Sequence, residues 1–101
     1  SRPKAKDIVP AADLFDPAHP LFDKTCVLTG ELLKLSDREA MQRIADCGGK
    51  NADNVTKKTD LLIVGGGSPR EKKSGKVRKA EEYIEKGIPI QIISEEEFLQ
   101  M

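Results

Sequence analysis

The sequence predicts a small α/β fold, a parallel sheet with helices on both faces, and three observations carry that prediction. Residues 25–29 and 60–65 form apolar runs without alternation, as strands buried on both faces do. Ser36-Asp37-Arg38-Glu39 and Ser94-Glu95-Glu96-Glu97 are capping boxes, in which Ser bonds the amide three residues on and Glu reaches back to the Ser amide. The elements follow the order β-α-β-β-α-β-α, which suits parallel strands joined by crossovers. A chain of 101 residues has room for one such unit.

Residues 1–23 contain Pro3, Pro10, Pro17 and Pro20 without sustained periodicity, so they read as a linker or extended N-terminal arm, which Leu14, Phe15, Leu21 and Phe22 can dock onto the body. The folded unit is expected over residues 24–101. Its first strand, 25–29, ends at Gly30. Ala40, Met41, Ile44 and Ala45 then recur at helical spacing, and Gly48-Gly49 ends that helix. Residues 50–55 suit a short edge strand. The run at 60–65 is the strongest strand and so central, and Gly66-Gly67-Ser68-Pro69 breaks it into a charged loop. Ser74 caps a second helix with Val77, Ala80 and Ile84 toward the sheet and Tyr83 beside them, stopped by Gly87. Residues 88–93 give a fourth strand, and Ser94 opens a terminal helix with Phe98 and Leu99 turned inward.

Composition removes several function classes. No apolar run approaches the ~20 residues of a membrane helix. Without an initiator Met, a leader or a lipidation motif, the chain reads as a piece of a larger intracellular protein, cytoplasmic and nucleoid-associated in a bacterium or nuclear in a eukaryote. Cys26 and Cys47 lack the second pair of ligands a structural zinc needs and read as free thiols. His19, the only histidine, sits in the Pro-rich stretch as a linker residue, which argues against a Ser/His or Cys/His nucleophile. Gly65-Gly66-Gly67 is not followed by the Gly-Lys-Ser/Thr of a P-loop, and Thr29-Gly30 is followed by no further glycine of a dinucleotide fingerprint. Glu95 to Glu97 fall in a first helical turn, where negative charge suits the dipole. No enzyme activity, metal, cofactor or small-molecule substrate is expected of this domain.

What remains is anion recognition. The formal net charge is zero, but residues 66–79 carry six positive side chains against one negative, and residues 80–101 one against six. Opposed patches can steer an anion to one side. Thr29 offers a hydroxyl, Gly30 an unobstructed amide, and Lys76 a charge near the start of the second helix. Taken singly these read as a turn and a solvated lysine. If the first and central strands are neighbours, all three meet at one end of the sheet, where open α/β sheets commonly bind ligands.

In order, Thr29-Gly30, Gly48-Gly49, the Val55-Thr56-Lys57-Lys58-Thr59-Asp60 approach to the third strand, and Ser94 to Phe98 resemble the BRCT family over residues 21–101. The resemblance implies a four-stranded parallel sheet in order 2-1-3-4, with the first and third helices on one face and the second on the other. The chain is most similar to the single BRCT domains of NAD-dependent DNA ligases, of the replication factor C large subunit and of polymerase III epsilon-like exonucleases. The phrase Phe15-Asp16-Pro17-Ala18-His19-Pro20-Leu21-Phe22 favours the exonuclease group, with a 3′–5′ exonuclease as parent.

For function, the resemblance implies a non-catalytic module of a DNA replication or repair enzyme that binds phosphate through Thr29, Gly30 and Lys76, with Lys79 as the alternative lysine. The ligand is either a 5′-phosphorylated duplex DNA end or a phosphoserine in a partner. DNA ranks first because phosphopeptide specificity generally needs a second BRCT domain. Arg38, Lys57, Lys58, Lys72, Lys73, Arg78 and Lys79 are expected on the flanking DNA backbone. The alternative function is docking of a protein partner, phosphorylated or unmodified, or of other domains of the parent chain. The clamp-loader-like pattern has an arginine where this chain has Asp37, with Arg38 one residue later and so rotated by about 100°. Phe98 replaces the Trp of many members.

Overall fold

The computed structural model describes residues 2–67 and 73–101. The elements are β1 (Thr25–Thr29), α1 (Asp37–Asp46), β2 (Lys50–Asn51), β3 (Leu61–Val64), α2 (Gly75–Glu85), β4 (Gln91–Ser94) and α3 (Glu95–Leu99), preceded by one 3-10 turn at Ala5–Asp7. The four strands form one parallel sheet in the order β2-β1-β3-β4, as the resemblance implied.

Strand residues alternate between faces, and the sheet buries both. Cys26, Leu28, Leu61, Ile63 and Ile93 pack against Ala40, Met41, Ile44 and Ala45 of α1 and Phe98 of α3. Val27 and Leu62 pack on the opposite face with Ala80 of α2, joined by Val55 and Ile90. Helices α1 and α3 therefore share one layer and α2 forms the other. Ile84, expected toward the sheet, is 40% exposed, and Ile88 packs against that cluster in the turn after α2.

Both capping boxes form. Ser36 Oγ accepts from the Glu39 amide at 3.0 Å and the Ser36 amide donates to Glu39 Oε1 at 3.0 Å. Ser94 and Glu97 repeat the arrangement at 3.0 Å in both directions. Ser36→Ala or Ser94→Ala is expected to cost about 1 kcal/mol, read as a lower urea midpoint with ligand binding unchanged. Loss of binding from a folded variant would contradict the division between scaffold and site.

Strand β3 is one residue shorter at each end than the expected 60–65, and β2 and β4 depart further. Strand β2 stops at Asn51, because Asn51-Ala52-Asp53-Asn54 is poor in strand formers. Asn51 Nδ2 donates to Met41 O at 2.9 Å and ties this edge to α1. Strand β4 begins only at Gln91, because Pro89 has no amide to donate to a ladder.

The N-terminal residues lie along the β1–β2 edge and α1. The Ala5 amide donates to Asp53 Oδ1 and the Ala11 amide to Asp46 Oδ1, both at 2.8 Å, while Gln42 Nε2 donates to Val9 O at 2.8 Å. Ile8 and Leu21 are buried in the larger cluster, and Leu14 stays 90% exposed. His19, expected as a linker residue, puts Nε2 3.5 Å from Cys47 Sγ, while its Nδ1 accepts from the Leu21 amide at 3.0 Å. Burial pushes the Cys47 thiol up, partly countered by Arg43, and burial together with Asp60 pushes Cys26 to about 12. Both thiols are held away from the thiolate form that nucleophilic chemistry requires.

Candidate functional site

Because the strands are parallel and β1 pairs with β3, the ends of both open on the same side, where the β1–α1 and β3–α2 loops meet. Gly30 turns the chain out of β1 with φ of 77°, a left-handed value that side chains disfavour. Thr29, still in the strand, is buried, and its hydroxyl donates to Ser74 Oγ at 2.8 Å. Ser74 is the N-cap of α2 and also accepts from the Val77 amide at 3.2 Å. One hydroxyl chain thus fixes the start of α2 over the end of β1.

Lys76 follows from that placement. Lying in the first turn of α2, it reaches back to β1, and Nζ donates to Leu28 O at 2.8 Å. Burial lowers the proton affinity of this lysine, the nearby Arg2 lowers it further, and Asp53 and Asp37 partly restore it. Thr29, Gly30 and Lys76 are therefore brought together at one strand end, with the Thr29 hydroxyl engaged by the α2 cap.

The flanking cations are not gathered in the same way. Arg38 is exposed in the first turn of α1. Arg78 and Lys79 are exposed on α2, where Lys79 Nζ lies 5.2 Å from the Tyr83 ring centroid. Lys73 pairs with Glu81 at 2.9 Å. Lys72 lies outside the described residues. Lys57 and Lys58 occupy the turn before β3, at the opposite end of the sheet from Lys76. The Thr56-Lys57-Lys58-Thr59-Asp60 phrase has its own structural cause there. The Thr56 amide donates to the buried Thr59 hydroxyl at 2.9 Å, and Asp60 Oδ2 accepts from the Thr25 amide at 2.9 Å.

Two groups at the site carried no local sequence signal. Arg2 donates through Nη1 to Leu28 O at 3.1 Å and through Nη2 to Gly30 O at 2.6 Å, and its Nε lies 3.2 Å from Asp37 Oδ2. Glu95, expected with its two neighbours in the first turn of the last helix, lies there and is buried. It accepts from the amides of Leu33 at 2.8 Å, Lys34 at 2.7 Å and Gly66 at 3.2 Å. Burial pushes this carboxyl up, but the amides of Leu33, Lys34, Gly66 and Leu35 outweigh it and hold the group below the usual carboxylate range. Glu95 thereby joins the two loops that border the strand ends. The cue for Glu95 is topological rather than local: loops leaving parallel strands carry unpaired amides, and the residue opening the last helix lies beside them.

The chain is similar to proteins described as DNA ligases. It is 36% identical over 94 residues to that of Syntrophotalea carbinolica, covering 93% of this chain and 12% of the relative. It is 42% identical over 82 residues to that of Brevibacillus brevis, covering 81% of this chain and 11% of the relative. With Syntrophus aciditrophicus the identity is 36% over 98 residues, covering 97% and 13%. The chain thus spans only about an eighth of the curated relatives it matches. The family profile described as the BRCA1 C Terminus (BRCT) domain matches residues 17–101. With the 2-1-3-4 parallel sheet and its three helices, this match makes the chain a member of the BRCT family.

Proposed function

We propose that this domain is a non-catalytic binding module of a DNA replication or repair enzyme, and that it holds a 5′-phosphorylated DNA end at the close of β1. The observation that carries the reading is the convergence of Lys76 Nζ on the backbone at Leu28, beside Thr29-Gly30 and the first turn of α2. A lysine charge next to helix N-terminal amides suits a phosphate group. The DNA ligase descriptions of the relatives support a DNA-processing parent and favour a ligase. The exonuclease parent rests on the phrase between Phe15 and Phe22 alone.

A fluorescence-anisotropy titration of a recessed duplex bearing either a 5′-phosphate or a 5′-hydroxyl, at two salt concentrations, tests this. Wild-type protein is expected to prefer the phosphate and to weaken steeply with salt. Lys76→Ala is expected to lose roughly tenfold on the phosphorylated duplex and nothing on the hydroxyl one. Equal binding to both duplexes would leave a protein-docking module, for a phosphopeptide or an unmodified partner.

A further inference from the structure

We infer that Arg2, delivered by the N-terminal segment, is the second cation of the phosphate site, so that docking of that segment and phosphate binding strengthen one another. The inference rests on the phosphate reading above and adds a residue and a coupling to it.

Strand β1 explains why Arg2 comes here. Its carbonyls alternate in direction: Thr25 and Thr29 accept from the β3 side, through the amides of Asp60 and Gly65, and Cys26 accepts from Ala52 on the β2 side. Leu28 O therefore faces the β2 side, where β2 pairs only with Thr25 and Cys26, and the left-handed turn at Gly30 brings the Gly30 carbonyl within reach of the same guanidinium. A guanidinium fork takes the place of the missing strand, with Nη1 on Leu28 O and Nη2 on Gly30 O. A guanidinium has five N–H groups, so these two bonds leave donors to spare. The Nε–H is buried without a hydrogen-bond partner among the described residues, and its 3.2 Å approach to Asp37 is one of charge rather than of a directed bond.

The charge arrangement points to an anion. Arg2 and Lys76 donate to the same Leu28 carbonyl, which crowds two cations, and Arg2 lowers the proton affinity of Lys76 accordingly. An anion beside both relieves that repulsion. Asp37, in the first turn of α1, would repel a phosphate, and Arg2 neutralises it. Lys76 also faces Asp53, so the two cations balance the two carboxylates; without Arg2 the cluster would carry a net negative charge that repels a phosphate. A group that raises phosphate affinity by docking must itself be held more tightly when phosphate is bound.

The test uses the 101-residue chain and the same pair of duplexes. Arg2→Gln is expected to weaken binding of the phosphorylated end roughly tenfold without changing the hydroxyl end. Arg2→Lys should recover little, since a point charge cannot bridge two carbonyls. Asp37→Asn, a second variant whose fold is checked by its urea midpoint, should bind the phosphorylated end several-fold more tightly. In wild type, the phosphorylated duplex should slow tryptic cleavage after Lys4 and Lys6. Unchanged binding by Arg2→Gln, or unchanged or weaker binding by Asp37→Asn, overturns the inference. Tighter binding by Arg2→Gln also overturns it and makes the segment a plug. A phosphate preference that Lys76→Ala abolishes and Arg2→Gln retains defeats this inference alone. A wild type indifferent to phosphate defeats the underlying reading as well.

Discussion

Glu95→Ala is expected to destabilise the domain by about 3 kcal/mol, because it strands amides that now share one buried carboxylate, and hydrogen bonds to charged acceptors contribute about 1.5–3 kcal/mol each. For a chain of this size that corresponds to a melting temperature lower by roughly 15 °C. The amides of Leu33, Lys34 and Gly66 sit in the loops leaving β1 and β3, so those loops should also gain the fastest amide exchange. The pH dependence has a defined sign. A carboxyl held below its ordinary value of 4.5 contributes stability above that value, and the contribution is lost as pH falls through the folded-state value. Wild type should therefore lose stability on acidification, and Glu95→Gln should remove part of that slope. Glu39 and Asp46, also held low by hydrogen bonds, account for a further part. A Glu95→Ala melting temperature close to wild type, with unchanged loop exchange, would mean that the loops are secured by other contacts.

Gly65→Ala is the second large effect. The backbone leaving β3 passes directly against the Glu31 carbonyl, and the Leu32 amide nitrogen lies 2.8 Å from where a methyl group would project. The neighbours are main chain, so no side chain can swing aside. Overpacking in a tight site costs about 1–3 kcal/mol, and backbone against backbone belongs at the upper end. Relief requires one of the two backbones to move, and the 30–32 segment carries Gly30 and with it the carbonyl held by Arg2. Calorimetry should show the destabilisation, and the anisotropy titration a weaker preference for the 5′-phosphate. A destabilised variant with full phosphate preference would show that the segment can shift without disturbing the strand end.

The readable parts of this chain were those that local chemistry decides. Apolar runs located β1 and β3, Ser-x-x-Glu located α1 and α3, and Gly48-Gly49 closed α1, because each is a transaction between residues a few positions apart. Thr29, Gly30 and Lys76 were legible as a group because parallel pairing of β1 with β3 forces strand ends and helix starts together. Arg2 and Glu95 were not, since each acts on backbone groups far along the chain: Arg2 on Leu28 and Gly30, Glu95 on Leu33, Lys34 and Gly66. Such contacts leave no periodicity. The lysines before β3 and on α2 looked alike as charges, and only topology separates Lys57 and Lys58 from Lys76 by the length of the sheet.

Ser94 ends β4 and caps α3 at once, and the next residue is the buried Glu95. There is no spacer at this junction. One additional residue between strand and helix would turn α3 by about 100° and swing Glu95 and Phe98 out of register together. The β4–α3 step therefore acts as a fixed ruler from which both loops at the strand ends are measured.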